Sequence, residues 1–143
     1  MRLSQIAKDY GLKANGLTKK NFKKFSEKYE DINRADAKNN AYLFDDQIIL
    51  GFYDDPAHRT VAFFHELGHS LVSENFERLV NHDDIFVEYE AWIQGLKVAK
   101  KYGYTFPDRV FKYILKSTNS YYKDSLRAHN KRRKRCQKNL KQK

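Results

Sequence analysis

Two histidines and a glutamate near the middle of the chain have the residue types and spacing of a metal centre. They are His65, Glu66 and His69, in the stretch HELGH. Side chains four residues apart lie above one another on a helix, so both imidazoles can reach one ion. The carboxylate of Glu66 can then take a proton from a water bound to that ion. The pattern predicts zinc-dependent hydrolysis of a peptide bond, with Glu66 as the general base.

The residues around this motif predict a buried helix. In the stretch 60–72, large apolar side chains fill one broad arc of a helical wheel, and the two histidines and Glu66 form its polar stripe. An acidic residue followed by Pro56 marks the expected start of the helix. Buried ionisable groups need partners, and one metal ion serves all three. Two hydrogen-bonded core histidines are the alternative interpretation.

A catalytic zinc site usually has three protein ligands, so a third ligand is expected downstream of the motif. The candidates are Glu74, Glu77, His82, Asp83, Asp84, Glu88 and Glu90. On a helix, Glu88 and Glu90 point about 200° apart, so they cannot both serve. The predicted face of Glu88 holds three small residues that permit close helix approach, Ala91, Gly95 and Ala99. The face of Glu90 holds Gln94, Lys97 and Lys101, which is typical of solvated surface and leaves Glu88 as the predicted ligand.

Hydrophobic periodicity predicts the elements that position these groups. Two strands joined by a short turn precede the motif helix, at 41–44 and 47–53. The predicted helices are 3–10, 18–34, 56–73, 85–102 and one that starts near 105–107 and can run into the C-terminal tail. Residues 74–83 are predicted to form a loop. The expected fold class is α+β, a mainly helical domain with a small sheet or hairpin before the HExxH helix.

This arrangement resembles the ImmA/IrrE family of metallo-endopeptidases, which are gluzincin-like HExxH zincins. The resemblance rests on a strand pair, a buried helix with HELGH, and an E-x-x-A helix about twenty residues further on. In this chain the matching segments are 41–52, 60–72 and 87–92, which lie within about half of its length. Many family members have Asp or Asn directly after the alanine, where this chain has Trp92.

The resemblance implies a Zn2+ site with His65, His69 and Glu88 as ligands and Glu66 as the catalytic residue. The sequence shows no helix-turn-helix domain of the kind that some relatives carry, so we expect a minimal zincin-like domain with a tail. The substrate implied is an intracellular protein such as a repressor or another regulator, in some cases bound to DNA.

Charge divides the chain into a body and a tail. Residues 1–126 hold 19 Lys or Arg against 18 acids, whereas residues 127–143 hold nine Lys or Arg and no acid. We therefore predict a metallopeptidase domain at 1–126 and a basic tail at 127–143, either a helical extension or disordered. The tail can contact nucleic acid nonspecifically through phosphates, or it can be a solvated tail without a ligand.

The N-terminal residues and the apolar runs predict a cytoplasmic protein without a membrane segment. The N-terminus has no signal-peptide core, and no apolar run approaches the 18 or so residues that a span requires. The single cysteine, Cys136, excludes an internal disulfide and is expected to be an exposed thiol.

Two functions from different classes remain open at this point. The first is the zinc endopeptidase acting on an intracellular protein. The alternative is a non-catalytic, nucleic-acid-associated binding protein with a structural or vestigial metal site. A hydrolase also needs a donor for the oxyanion of the tetrahedral intermediate, and the sequence does not single one out. The candidates are His58, His82, Tyr89, Tyr102 and Tyr104.

Overall fold

Helices surround a small three-stranded sheet in the computed structural model, which describes residues 2–80 and 84–142. In chain order the described elements are α1 (Leu3–Asp9), β1 (Lys13–Gly16), α2 (Phe22–Lys28), β2 (Ala41–Phe44), β3 (Gln47–Leu50), α3 (Pro56–Leu71), α4 (Glu74–Leu79), α5 (Asp84–Lys101) and α6 (Asp108–Lys141). The predicted α+β, mainly helical fold class is confirmed.

The sheet has the order β1-β3-β2, so β3 is central. β1 pairs with β3 in parallel, and β2 pairs with it in antiparallel orientation through the predicted hairpin. Asp45 has a φ of 48° in the two-residue turn, as hairpin turns of this length require. All four residues of β3 are buried, whereas β2 has no further strand beside it among the described residues. Within the described residues, β1 and β2 are therefore the two edge strands of the sheet.

Helix α3 carries the histidine motif and begins with strong local signals. The Asp55 carboxylate accepts a hydrogen bond from the Ala57 N–H at 2.8 Å, and Pro56 occupies the first turn. Its apolar side holds Phe63, Phe64 and Leu67, all fully buried in the main core. The predicted start and buried character of this helix are confirmed.

Helices α3 and α5 pack closely because both have glycine at their contact. A Cβ on Gly68 would overlap the carbonyl oxygen of Ala91, and a Cβ on Gly95 would overlap that of Phe64. Ala91 and Ala99 are also buried on this face of α5. The small-residue stripe predicted for α5 therefore brings the two backbones together.

Two predicted elements differ from the structure. The helix expected at 18–34 is restricted to α2, because Thr18 and Asn21 exchange side-chain and backbone hydrogen bonds in a turn that precedes the helix. It ends at Lys28, and Tyr29 turns to an extended conformation and stacks on Phe44 at 4.0 Å. The loop expected at 74–83 contains α4, whose first turn is capped by the Ser73 hydroxyl.

Helix α6 is a single helix of 34 residues, about 51 Å long. Its first turns pack on α3 and α5 through Val110 and Ile114, and Thr118 is also buried. Beyond residue 118 nearly every described side chain is exposed. The helix crosses the predicted boundary between residues 126 and 127 without a break. Among the described residues, no helix combines the length and the apolar character needed to cross a membrane.

Candidate metal centre

Three potential ligand atoms converge between α3 and α5. The Nε2 atoms of His65 and His69 lie 3.1 Å apart, one turn from each other on α3. On α5, Glu88 places Oε2 2.8 Å from Nε2 of His65 and Oε1 2.9 Å from Nε2 of His69. The predicted ligands His65, His69 and Glu88 are thus brought together, and Glu88 reaches them because the glycine contacts allow the helices to approach.

This donor set fits a divalent metal such as zinc. Two nitrogen ligands about 2.0–2.1 Å from a tetrahedral zinc ion are separated by about 3.3–3.4 Å, close to the observed 3.1 Å. The Oε2 atom of Glu88 is buried and has no hydrogen-bond partner among the described residues, although Nε2 of His65 is near. The three donors therefore face a common point rather than forming a fully satisfied hydrogen-bond network.

Burial and mutual contact shift the pKa values of all three groups. Burial acts to raise the pKa of Glu88, but contacts with His65 and His69 outweigh it and hold that pKa at about 2. Burial lowers the pKa of the His65 imidazole, which favours the neutral form that a metal ligand needs. For His69 the burial effect is exceeded by the contact with Glu88, and its pKa is raised. The carboxylate is therefore ionised at neutral pH.

Glu66 lies beside this cluster but outside its ligand contacts. Its side chain faces the same cleft as the two histidines and is half-buried. Burial raises the pKa of its carboxyl group to about 7, with the charge of His69 opposing and that of Glu88 adding to the shift. A carboxyl group with a pKa near neutrality can accept and return a proton at physiological pH.

The cleft next to these groups has a volume of about 530 Å³. Its lining includes all four residues of β2, an edge strand of the sheet, together with Ala62, His65, Glu66 and His69 of α3. Trp92 of α5 and three residues of α6 also line it, namely Tyr113, Ser117 and Tyr121. An extended chain could lie along β2 with its backbone next to the candidate metal centre.

Two tyrosines that the sequence reasoning missed also line this cleft. The hydroxyls of Tyr53 and Tyr113 share a hydrogen bond, and both side chains line the cleft. Burial raises the pKa of both tyrosines, and the nearby Glu66 carboxylate adds to each shift. No sequence signal indicated this pair, because Tyr53 follows β3 and Tyr113 is sixty residues away on α6.

The sequence candidates for an oxyanion donor lie elsewhere. His58 stacks on Tyr113 with ring centroids 4.5 Å apart and is 3.5 Å from Asp55, outside the cleft lining. Tyr102 donates a hydrogen bond to Asp9, and Tyr104 packs on Phe64 in the core. Tyr89 is exposed and does not line the cleft, and His82 is outside the described residues.

The remaining candidates for the third ligand are not brought to the cluster. Glu90 accepts a hydrogen bond from Gln94 on the other side of α5, as its solvated face predicted. Glu74 is exposed on α4, whereas Glu77 lines the cleft without joining the group of three. Asp83 and the side chain of Asp84 are outside the part of the chain that the structure describes.

Trp92 occupies the position at which the resemblance predicts a short polar residue. Its indole ring lies over the ring of His65, with centroids 4.0 Å apart. The Nδ1 atom of His65 is buried and has no hydrogen-bond partner among the described residues. The ring of this candidate ligand is therefore oriented by aromatic packing. Metal-binding histidines commonly donate a hydrogen bond to a carboxylate or a carbonyl instead.

No family model, curated protein or solved structure matches this chain. The resemblance to the ImmA/IrrE family therefore rests on the motifs and their spacing alone.

Proposed function

We propose that this protein is a zinc-dependent endopeptidase that hydrolyses a peptide bond in a cytoplasmic protein. The observation that carries the proposal is the convergence of His65, His69 and Glu88 at a cleft that also receives the Glu66 carboxyl group. A purely structural zinc site has no use for a second, half-buried acid beside its ligands, with a pKa of about 7. The ImmA/IrrE-like order of motifs supports the same class of enzyme.

The residues of the chain have separable roles in this proposal. His65, His69 and Glu88 would hold the ion, which supplies a Lewis acid that lowers the pKa of a coordinated water towards about 7. Glu66 takes a proton from the attacking water and later delivers one to the leaving amine. In the metal-free chain, burial raises the pKa of Glu66 to about 7, as suits a group that both takes up and releases a proton.

The open edge of β2 is the proposed binding surface for the substrate backbone. All four residues of β2 are in register with β3, but only alternate residues of an antiparallel pair exchange hydrogen bonds. The Gly51 N–H donates to the Asn40 carbonyl at 2.8 Å, so Tyr42 and Phe44 are the next bonded residues and the peptide groups of Ala41 and Leu43 face away from β3. A substrate strand that pairs with this edge would lie in the cleft beside Glu66. Recognition through main-chain groups requires an extended, accessible segment of the substrate protein.

Tyr113 is the proposed donor to the oxyanion of the tetrahedral intermediate. Tyr113 lines the cleft together with Glu66, and its hydroxyl is held in place by a hydrogen bond shared with the hydroxyl of Tyr53. A donor held in place before the reaction stabilises developing negative charge without reorganisation.

The test compares metal content and proteolysis in three proteins. The wild-type chain, Glu66→Gln and Glu88→Gln are purified without chelators, and zinc is measured by elemental analysis. New protein N-termini are then mapped in cells that express each of them. We expect one zinc per chain in wild type and Glu66→Gln, less in Glu88→Gln, and new N-termini with wild type alone. The Glu66→Gln rate should be lower by about 10²–10⁴-fold.

Glu90→Gln is the matched control, because Glu90 is on the same helix but faces away from the cluster. It should keep both zinc and cleavage. Wild-type protein without stoichiometric zinc, or cleavage by Glu66→Gln at the wild-type rate, would contradict the endopeptidase proposal.

One observation favours the second candidate, a nucleic-acid-associated binding protein with a structural or vestigial metal. The unpaired Nδ1 atom of His65 means that this ligand lacks the polar support usual in metalloenzymes. Zinc binding without any new N-termini, together with an unchanged phenotype in Glu66→Gln, would select this alternative.

A further inference from the structure

The C-terminal half of α6 carries a concentration of positive charge that the proposed peptidase reaction does not use. Residues 123–141 contain nine Lys or Arg and one acid, Asp124. Asp124 is 3.5 Å from Arg127, and none of the other eight cations forms an ion pair with a described residue. All nine cationic side chains are exposed. Their charge is therefore available to a ligand.

The helix arranges most of these cations on one line. At 100° per residue, seven of the nine fall within an arc of about 120°. This cationic ridge consists of Lys123, Arg127, Lys131, Lys134, Arg135, Lys138 and Lys141. Along the helix, successive charges of the ridge recur every three or four residues, or about 4.5–6 Å, apart from the adjacent pair Lys134 and Arg135, and the ridge extends over about 27 Å. Arg132 and Arg133 lie outside the arc.

Such a ridge is unfavourable for a helix without a partner. Like charges three or four residues apart repel and destabilise a helix, and the ridge contains a continuous series of such pairs. The exposed half of α6 has no tertiary packing among the described residues that would offset the repulsion. A polyanion that lies along the ridge would remove the repulsion and stabilise the helix.

The pattern fits nucleic acid better than an anionic membrane. A membrane-surface helix needs a continuous apolar face. On the side opposite the ridge, residues 123–141 offer only two large aliphatic side chains, Leu126 and Leu140, and Arg133 lies between them on the wheel. Stacking on single-stranded bases is also disfavoured, because residues 123–141 contain no aromatic side chain other than His129.

We propose that the cationic ridge of α6 binds the phosphate backbone of double-stranded DNA without sequence preference. The major groove of B-DNA is about 12 Å wide and admits an α-helix, whereas that of A-form RNA is deep and narrow. A straight row of cations matches a row of phosphates, and neutralising them releases counterions. This inference is independent of the peptidase proposal, because it uses none of the residues of the metal centre.

The first experiment measures binding of the full chain to a labelled DNA duplex of about 20 base pairs, over twice the length that the ridge can span. Fluorescence anisotropy is recorded between about 50 and 200 mM salt. With about six phosphate contacts, the logarithm of the binding constant should fall against the logarithm of salt concentration with a slope of about −5. This corresponds to an affinity loss of about a thousandfold over that range. A slope near zero, or no binding at low salt, would overturn the proposal.

The second experiment uses two double variants with equal charge loss. Lys131→Gln with Lys134→Gln removes two ridge cations, whereas Arg132→Gln with Arg133→Gln removes two neighbours that lie outside the ridge. The ridge variant should reduce the magnitude of the salt slope by about two, and the off-ridge variant should leave it nearly unchanged. An equal reduction of the salt slope in both variants would mean that only the total charge matters, and it would overturn the proposal that the ridge is the binding surface.

Two further probes separate the alternative ligands. Duplex RNA of equal length and vesicles containing phosphatidylserine are titrated with the same protein, and helix content is followed by circular dichroism. The proposal expects tightest binding to DNA, with increased helix signal on binding. Tighter binding to the vesicles or to duplex RNA would replace DNA as the ligand.

Discussion

At the scale of single residues, the candidate site depends on four carboxyl and imidazole groups whose surroundings give them different properties. Glu88 is held ionised by the two histidines, whereas burial shifts Glu66 towards protonation. Two acids within one cluster thus have pKa values of about 2 and about 7. Two carboxyl groups with such different pKa values can take different roles, Glu88 as a permanently ionised ligand and Glu66 as a proton carrier.

Tyr113→Phe tests the assignment of the oxyanion donor. Removing a single such donor lowers kcat by about 10²–10³-fold, because the negative charge of the oxyanion then develops without a hydrogen-bond partner. Zinc content should be unchanged, since Tyr113 is not among the three ligands. Cleavage rates are measured on a substrate identified from the mapped N-termini.

Tyr102→Phe serves as the control for this substitution. Tyr102 donates to Asp9 outside the cleft lining, so the loss of its hydroxyl should leave cleavage unchanged. Equal rates for Tyr113→Phe and wild type would remove Tyr113 from the mechanism.

At the scale of elements, the site depends on how closely α5 approaches α3. At Gly68 and Gly95 the backbone of the facing helix occupies the space that a side chain would need. This close approach of the two helices sets the distance from Glu88 to the histidines. The N-terminus of α3 is held separately, by Asp55 and its contact with Arg109 of α6 at 2.8 Å. The motif helix is therefore fixed by both neighbouring helices.

Gly95→Ala should separate the two helices. Its Cβ would overlap the Phe64 carbonyl oxygen, which is backbone and cannot rotate away. Forcing extra atoms into a packed contact costs about 1–3 kcal/mol. We expect lower stability in urea unfolding of the metal-free protein and weaker zinc binding in competition with a chelating dye.

Lys97→Ala is the matched control on the exposed face of α5. Its unfolding free energy should change by about 0.5 kcal/mol or less. If Gly95→Ala binds zinc as tightly as Lys97→Ala does, the close helix contact does not position Glu88.

Asp55→Asn should change how stability depends on pH. The hydrogen bond from Arg109 and that from the Ala57 N–H lower the pKa of Asp55 from 3.8 to about 2 in the folded chain. Its ionised form therefore contributes stability in full above pH 3.8, and this contribution disappears as pH falls to about 2. Asparagine retains the capping function but not the charge.

Thermal unfolding of both proteins is compared from pH 2 to pH 6. Wild type should be the more stable above pH 4, and the two melting temperatures should converge towards pH 2. A difference in melting temperature that is constant over this range would show that the charge of Asp55 contributes nothing.

At the scale of the whole molecule, α6 links the cleft to the cationic ridge. Tyr113, Ser117 and Tyr121 line the cleft, and the ridge begins two residues later on the same helix. No Gly or Pro occurs between Asp108 and Lys141, so the helix has no residue that favours a bend. DNA bound along the ridge would then lie within about 30 Å of the cleft, measured along the helix axis.

A chain ending at residue 126 should fold as stably as the full chain. The described residues 127–142 are exposed and bury no apolar surface against the body. Its melting temperature should lie within about 2 °C of wild type, with zinc content unchanged and DNA binding lost.

A chain ending at residue 116 is the contrasting control. It lacks Thr118, which is buried, and Ser117 and Tyr121, which line the cleft. This shorter chain should melt at a lower temperature. A large loss of stability in the chain ending at 126 would show that the tail contributes to the folded body.

The sequence by itself determined the features that depend on local geometry. The spacing of His65 and His69 places them on one helical face, Asp55 and Pro56 mark where that helix begins, and the two-residue turn after Phe44 defines the hairpin. The small-residue face of α5 also selected Glu88 over Glu90, because helical periodicity assigns them to opposite sides.

Only the tertiary structure decided which distant segments meet. β1 was not predicted, because its four residues pair with β3 over thirty residues away and carry no strong local signal. The stacking of Trp92 on His65 and the pairing of Tyr53 with Tyr113 likewise join different elements. Such contacts are set by how whole helices and strands pack, and the periodicity of a single segment contains no information about them.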